Sequence, residues 1–206
     1  MTFDENFEAR PAAVTPDRQA WWGGYVVEFK IIAKDKHQHF KADLSSMRRQ
    51  SHVTGPEQRR IFSIDISKHE FCGHKVKAKL DDYTVYVYSL EMIAIEKFRA
   101  ICQQMSEYEA VGNKRARGRD FYDVCQILDE RAIDFGIPEN QELVRLIFDA
   151  KNVPLNLLSK IGQYREYHRQ DWSSVKATVI SELQDYDYYF DRVLRAIDPL
   201  ITLGEV

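Results

Sequence analysis

The sequence predicts an α+β protein in which a small sheet precedes a helical bundle. Apolar and polar residues alternate in three short segments before residue 89, which is the period of a strand with one buried side. After residue 89, apolar residues recur every three or four positions almost to the end, which is the period of an amphipathic helix. With 206 residues, of which 44% are hydrophobic and 30% charged, the chain is long enough to bury a sizeable core.

Composition excludes several classes of protein. No apolar run approaches the ~20 residues that a membrane-spanning helix needs, and the first residues, MTFDENFEAR, are acidic where a signal peptide is basic and then apolar. We therefore expect a cytoplasmic protein without a membrane segment. The formal net charge of −3 excludes a basic field over the whole surface but leaves a local basic patch open. The cysteines form an odd, scattered set, which indicates reduced thiols: Cys72, Cys102 and Cys125.

Strands are predicted only in the first part of the chain. Residues 1–23 show no sustained period and are predicted to form an N-terminal arm. Residues 24–88 are assigned to a sheet domain, because apolar side chains alternate along three segments: 24–32, 61–66 and 83–88. The apolar side of each strand is expected to face the core. The outer face of the first strand carries Glu28 and Lys30, and that of the second carries Asp65.

Helices are predicted wherever apolar residues recur at helical spacing. One lies before Gly55 and Pro56, which end it, and the others follow Ser89, the predicted N-cap of the next helix. That helix is expected to run to about Gly112, and the last helix to continue for about seven turns. The segments concerned are 34–50, 89–112, 121–128, 143–150, 155–164 and 172–197, and residues 89–206 are assigned to a helical domain.

The sharpest candidate site lies within residues 88–128. Lys97 is on the flank of its helix stripe, so its ammonium is expected at the boundary between core and solvent, where it can bind a phosphate. The alternative is a lysine whose stem covers apolar surface while its charge reaches water. A loop just before the next helix is basic, and side chains and free backbone N–H groups there favour anions. Its cations are Lys114, Arg115, Arg117 and Arg119.

Carboxylates near these cations have two interpretations. Asp120 and Asp123 can pair with nearby cations, or they can form a solvated face on which ion pairs contribute only ~0 to 1 kcal/mol. If the two outer strand faces lie on the same side, Glu28 and Asp65 form an acidic patch; otherwise they are solvated strand positions. A zinc site is a weaker alternative, because no second pair of ligands supports the cluster at His69, Cys72 and His74.

Three segments in this region resemble the signature of the AbiEii/AbiGii toxin nucleotidyltransferases, which are polymerase-beta-like enzymes. They are Ser89-Leu90-Glu91, Glu96-Lys97-Phe98-Arg99-Ala100 and Arg119-Asp120-Phe121-Tyr122-Asp123-Val124. The strands GYVVEFKII and FSIDIS also resemble those of the family, and the likeness covers roughly residues 24–130. It implies a mixed nucleotidyltransferase sheet and a bacterial toxin of a toxin–antitoxin or abortive phage-infection system.

The resemblance also implies an activity and its partners. Such a toxin transfers a nucleotide from an NTP to an RNA acceptor, tRNA ends included, requires Mg²⁺ and is opposed by a cognate antitoxin. In this sequence Asp65 takes the place of a catalytic, metal-binding strand carboxylate, and Lys97 takes that of the contact to the NTP phosphates. Asp120 and Asp123 are then expected to place Lys97 or the acceptor, with Glu28 and Lys30 as auxiliary residues.

One part of the family pattern is missing from the sequence. No Gly-Ser turn on a helix start and no Asp-x-Asp pair on a strand occurs where the family has them. We therefore expect a truncated or split protein that is inactive alone. The alternative is a non-catalytic partner subunit that binds RNA or an antitoxin through residues 113–119 and 48–60.

Overall fold

The computed structural model describes residues 9–11, 23–55, 58–110 and 112–204. The chain forms two compact units, Met1–His69 and Glu70–Val206. The α+β class predicted from the sequence is confirmed, since strands dominate the early part and helices the later part. The predicted domain boundaries at residues 24 and 89 stay predictions, and most of the predicted N-terminal arm lies outside the described residues.

The first unit contains an antiparallel sheet of three strands in the order β1-β2-β3. These are β1 (Ala9–Pro11), β2 (Gly24–Phe29) and β3 (Phe62–Ser67). The predicted strands at 24–32 and 61–66 are confirmed, although β2 ends three residues early. Strand β1 lies in the segment predicted as an arm, where three residues are too few to show a period. Every pairing in the described sheets is antiparallel, whereas the resemblance implies a mixed sheet.

The helix predicted across residues 34–50 is instead two short helices, α1 (Lys34–His39) and α2 (Leu44–Gln50). The break has a local cause, because the carboxylate of Asp43 accepts the backbone N–H of Ser46 at 3.0 Å and starts a new helix there. The apolar residues stay in phase across the break, so their spacing alone does not reveal it.

The predicted core side of the first sheet is not buried. Tyr25 is 47% exposed and its cross-strand partner Ile66 is also 47% exposed, and Ile64 beside them is 51% exposed. Among the described residues of this unit, only Ser51 is buried. The alternation therefore predicted the strands correctly but not their burial.

The second unit begins with a hairpin of two strands, β4 (Val76–Leu80) and β5 (Tyr83–Val87). Strand β5 was predicted from the sequence but β4 was not, although Lys75, Lys77 and Lys79 alternate there with apolar residues. The residues described after the hairpin form six α-helices: α3 (Leu90–Cys102), α4 (Gly118–Glu130), α5 (Pro138–Asp149), α6 (Arg165–Arg169), α7 (Trp172–Thr178) and α8 (Tyr186–Ile197). The same part of the chain also contains two 3-10 helices, Leu155–Tyr164 and Asp198–Gly204.

The described hydrophobic core lies between Met92 and Leu200, within the second unit. Helix α3 supplies its centre with Met92, Ile95 and Phe98, all fully buried. The predicted N-cap is confirmed, because the hydroxyl of Ser89 accepts the backbone N–H of Met92 at 3.3 Å. No helix in the described parts of the chain is long and apolar enough to cross a membrane.

Two predicted helices are longer than the observed ones. Helix α3 ends at Cys102 and not near Gly112, because the chain turns back and buries Tyr108, whose hydroxyl donates to the carbonyl of Lys151 at 2.8 Å. The predicted final helix is interrupted between α7 and α8. The separation lets both helices pack against α4, which one straight helix of that length cannot do.

Candidate functional site

Helices α3 and α4 bring Lys97 and two aspartates together. The ammonium of Lys97 donates to Asp123 Oδ2 at 2.7 Å and to Asp120 Oδ1 at 3.1 Å. The side chain of Asp120 is only 6% exposed, against 21% for Lys97 and 28% for Asp123. The two alternatives from the sequence were a lysine whose charge reaches water and aspartates on a solvated face. Neither describes this arrangement, because all three groups are paired at the helix interface.

Two arginines extend this network on the solvent side. Arg117 donates through Nε to the second oxygen of Asp120. Arg119 donates through Nε to Asp123 Oδ1 at 3.2 Å, and through Nη1 to the hydroxyl of Thr178 on α7 at 2.7 Å. Each aspartate therefore bridges Lys97 and one arginine. We call this network the α3–α4 charge cluster; it consists of Lys97, Arg117, Arg119, Asp120 and Asp123.

The α3–α4 charge cluster carries an excess of positive charge, because three cations face two carboxylates. Burial disfavours the charged form of Lys97, but its hydrogen bond to Asp123 and the negative charge of Asp120 together raise the pKa of Lys97 above its ordinary value. A lysine ammonium has three N–H donors, and two of them are used by aspartates of the described chain. Lys97 can thus donate its third N–H to a ligand without breaking either pair.

The buried side chain of His168 on α6 contacts the backbone just before α4. This imidazole is fully buried, and its Nδ1 accepts the backbone N–H of Arg117 at 3.1 Å. Burial lowers the pKa of His168 to about 4, so the ring is neutral and able to accept at physiological pH. Gly118 makes this approach possible, because a Cβ there would lie 2.9 Å from the carbonyl oxygen of His168.

A surface recess of about 260 Å³ adjoins the α3–α4 charge cluster. It is lined by Arg115, Ala116, Arg117, Arg119, Asp120 and Asp171. Asp171 also accepts the backbone N–H of Arg119 at 3.3 Å, so a carboxylate already lies at the N-terminus of α4. Three arginines on one recess suit a phosphate group, since guanidinium groups bind phosphate through paired N–H donors.

Lys114 does not line this recess. Its ammonium donates to the carbonyl of Gln103 at 3.0 Å and to that of Tyr108, which holds the turn after α3. Burial lowers the pKa of Lys114. Lys114 thus uses two N–H donors to hold the turn after α3, and its contact to phosphate stays a prediction.

Glu96, the residue before Lys97, faces a different environment. Its Oε2 accepts from Nε of Arg99 at 2.9 Å, and its Oε1 is buried without a hydrogen-bond partner among the described residues. Burial raises the pKa of Glu96, against the opposing effect of Arg99. Neighbouring positions of α3 therefore serve two separate polar networks.

The predicted acidic patch belongs to the first unit. Glu28 pairs in register with Ser63, and Val26 pairs with Asp65, so Glu28 and Asp65 are diagonal neighbours on one face of the sheet. Lys30 lies just beyond β2 and donates to the carbonyl of Arg48 at 3.5 Å. The condition for an acidic patch, that both carboxylates share a face, is thus met.

The described residues do not fit a two-magnesium site. Glu28 and Asp65 supply two exposed carboxylates, and no set of three or more candidate ligands occurs among the described residues. Clustered carboxylates are what such a site requires. The same observation applies to zinc at His69, Cys72 and His74; the thiol of Cys72 lies instead 3.7 Å from the hydroxyl of Tyr88.

Two residues of the site were not predicted from the sequence. His168 and Asp171 approach the start of α4 from α6 and the turn after it. Both are more than 50 positions from their partners, at sequence separations of 51 and 52. No periodic pattern links such distant positions, and a buried histidine within a helix shows no signal of its own.

Comparison with known proteins assigns the chain to a class, the nucleotidyltransferase toxins of toxin–antitoxin systems. Residues 2–196 match the family model described as nucleotidyl transferase AbiEii toxin, type IV toxin–antitoxin system. The chain therefore belongs to the AbiEii family, and the resemblance seen in three short segments is confirmed over nearly the whole sequence. Neither the curated proteins nor the solved structures contain a match.

Proposed function

We propose that this chain transfers a nucleotide from an NTP to an RNA acceptor, with tRNA as one candidate, and so acts as a bacterial cytoplasmic toxin in abortive defence against phage. The family match over residues 2–196 supports the class of reaction. The observation that carries the proposal is the pairing of Lys97 with Asp120 and Asp123 beside a recess lined by arginines. A cognate antitoxin is the partner that the family implies.

In this proposal the α3–α4 charge cluster binds the phosphate chain of the NTP. Asp120 and Asp123 fix the ammonium of Lys97, whose third N–H then donates to a phosphate oxygen. Arg115 and Arg117 bind the remaining phosphate charge in the recess. Phosphoryl transfer depends mainly on positioning and on neutralising charge, which fixed cations supply without reorganisation.

We propose Mg²⁺ as the cation that accompanies the NTP into the site. It neutralises phosphate charge when bound. Within the first unit, Asp65 is the carboxylate that the proposal assigns to Mg²⁺, with Glu28 and Lys30 as auxiliary residues. Because two carboxylates do not make a two-metal site, we assign no step of the reaction to metal held by these residues. Chelation by EDTA is expected to abolish transfer if the nucleotide enters as its magnesium complex.

NTP binding tests the role of Lys97 independently of turnover. We expect Lys97→Met to weaken binding of NTPs by about tenfold or more, since a charge-assisted hydrogen bond to phosphate contributes ~1.5–3 kcal/mol. Lys176→Met is the matched control, because Lys176 is an exposed lysine of α7 in the same unit. Equal affinities of wild type and Lys97→Met would remove Lys97 from the site.

Transfer is measured by incubating the chain with labelled NTPs, Mg²⁺ and total RNA. Label in RNA that disappears in Lys97→Ala and in Asp65→Ala would support the proposed site, and label that persists in both would contradict it. The same reaction tests the expectation that the chain is inactive without a further component: no label with the wild-type chain would support that expectation, and NTP binding by Lys97→Met then tests the site. Transfer by the chain alone would overturn that expectation.

The second candidate is a non-catalytic subunit that binds RNA or an antitoxin. The observation in its favour is that Arg48, Arg49 and Arg59 are exposed, as is Arg115 in the basic loop. This candidate predicts RNA binding that falls steeply with salt and no transfer under any condition. The variant Arg115→Glu, Arg117→Glu distinguishes the two candidate surfaces, residues 113–119 and 48–60. Unchanged RNA binding in this variant would exclude the 113–119 loop as the RNA-binding surface.

A further inference from the structure

The β4–β5 hairpin has one face that is both basic and aromatic. Lys77 lies directly opposite Tyr86, and Lys79 lies opposite Thr84, so these four side chains share a face. Lys75, one step before β4, continues the row and places its ammonium 5.2 Å from the ring centre of Tyr86. We call this the hairpin face; it consists of Lys75, Lys77, Lys79, Thr84 and Tyr86.

The groups of the hairpin face are accessible to a large ligand. Tyr86 is 62% exposed, and all three lysines are exposed. Lys79 donates to the hydroxyl of Thr84 at 3.0 Å, which orients its stem along the strand. Between residues 75 and 88, carboxylates occur only in the turn, at Asp81 and Asp82. The face is therefore positive along β4, uncharged along β5, and bounded at the turn by negative charge.

We propose that the hairpin face binds a single-stranded segment of RNA. Alternate residues of a strand are about 6.8 Å apart, so the lysines form a regular row that can follow a phosphate backbone. An exposed tyrosine beside such a row offers a surface on which a base can stack, which is the common way proteins hold unpaired nucleotides. An acidic protein surface would also pair with the lysine row, but the exposed ring within that row favours RNA, because an unpaired base can stack on it.

This inference rests on the proposed function only in one respect, that the bound RNA is the acceptor. The α3–α4 charge cluster is assigned to the NTP, and the hairpin face shares no residue with it. The hairpin therefore supplies a second, separate contact for the substrate that receives the nucleotide. Binding by the hairpin can be measured with RNA alone and needs no turnover.

The test is the affinity for a fluorescently labelled, single-stranded oligoribonucleotide, measured by anisotropy over a range of salt concentrations. The variant Lys75→Glu, Lys77→Glu, Lys79→Glu is expected to bind about tenfold more weakly or worse, with a salt dependence less steep by about 2 in slope. The matched control is Lys34→Glu, Lys36→Glu, Lys41→Glu, which makes the same change in charge at exposed lysines of the first unit.

Variants at Tyr86 distinguish the contribution of base stacking from that of the lysine charges. Tyr86→Ala is expected to lose between about 5-fold and about 150-fold in affinity, since stacking of one base contributes ~1–3 kcal/mol. Tyr86→Phe keeps the ring and is expected to bind as wild type does. The neutral variant Lys75→Gln, Lys77→Gln, Lys79→Gln, with an unchanged melting temperature, shows that any loss is not caused by unfolding.

The outcomes decide the hairpin proposal separately from the proposed function. Unchanged RNA affinity in the triple Glu variant, or an equal loss in the control, would overturn the hairpin proposal and leave the hairpin as a surface for protein. Loss of RNA binding in the triple Glu variant would support the hairpin face even if the wild-type chain transfers no nucleotide, because binding is measured with RNA alone. Transfer that survives in the triple Glu variant would contradict only the hairpin.

Discussion

His168 supports the backbone of Arg117, although 51 positions separate them in the sequence. The hydrogen bond requires an unprotonated Nδ1, so the segment leading into α4 depends on a neutral imidazole. The ring also packs against Phe121 of α4, with 5.4 Å between ring centres. The same side chain therefore fixes both the start of the helix and the backbone that carries the arginines.

The first prediction concerns stability against pH. Burial lowers the pKa of His168 from 6.5 to about 4, so the unfolded chain binds a proton before the folded chain does. The contribution of His168 is fully present above pH 6.5 and is lost as pH falls towards about 4, with a total near 3 kcal/mol. Denaturant unfolding at a series of pH values measures it.

The control for His168 is His168→Asn, whose amide oxygen can still accept from the Arg117 N–H but does not titrate. Its unfolding free energy is expected to fall less between pH 6.5 and 4 than that of wild type. A variant as steep as wild type over this range would show that other groups cause the pH dependence.

The second prediction distinguishes the two aspartates of the α3–α4 charge cluster. Asp120 is nearly buried and bridges Lys97 and Arg117, whereas Asp123 is 28% exposed. Asp120→Ala is expected to destabilise the fold by about 2–3 kcal/mol, because it leaves a partly buried ammonium with one partner fewer. Asp123→Ala is expected to cost about 1 kcal/mol or less. Equal losses in chemical denaturation would contradict this ranking.

The third prediction concerns Gly118. A methyl group there would meet the backbone of α6 and α7, at 2.9 Å from the oxygen of His168 and 3.3 Å from the nitrogen of Trp172. Because backbone cannot move aside cheaply, Gly118→Ala is expected to cost roughly 1–3 kcal/mol. Gly162→Ala is the control, since its nearest neighbour is a flexible Leu194 methyl at 3.9 Å. If thermal melting shows the same change for both, the close packing of Gly118 is not what excludes a side chain.

The fourth prediction concerns the thiols. Cys72 is exposed, while Cys102 and Cys125 are buried. Burial raises the pKa of both buried thiols, that of Cys125 to about 12, so little reactive thiolate forms there at pH 8. One thiol in three is expected to react rapidly with DTNB in the native protein, and all three after unfolding in guanidinium chloride. Cys72→Ser removes the rapid phase; a rapid phase that remains would contradict the burial.

Periodicity in the sequence predicted where elements lie but not where they end. The stripe that continues from α7 into α8 stays in phase across Val179 and Leu183, which are partly buried in an irregular segment. An apolar side chain is buried when it points towards the core, and an irregular segment can place it there as well as a helix can. Ends are set by single contacts, such as the Asp43 cap before α2, which leave no trace in a hydrophobic pattern.

Part of the candidate site could likewise be predicted from the sequence, and part could not. The resemblance implied that Asp120 and Asp123 place Lys97 or the acceptor, whereas the sequence pattern alone predicted only that they pair with nearby cations or stay solvated. His168 and Asp171 could not be predicted, since their approach depends on how α6 and α7 pack on α4. The roles of these residues in binding and transfer stay predictions until the variants are measured.

Two adjacent residues of α3 contact different partners: Lys97 pairs with aspartates of α4, and Glu96 pairs with Arg99 of its own helix. An α-helix rotates by about 100° per residue, so gaining or losing a single residue upstream in α3 would swing both side chains away from their partners at once. Natural variants of this helix are therefore expected to differ by replacement alone. Changes of length should accumulate outside α3, in connections where an extra residue does not rotate these two side chains.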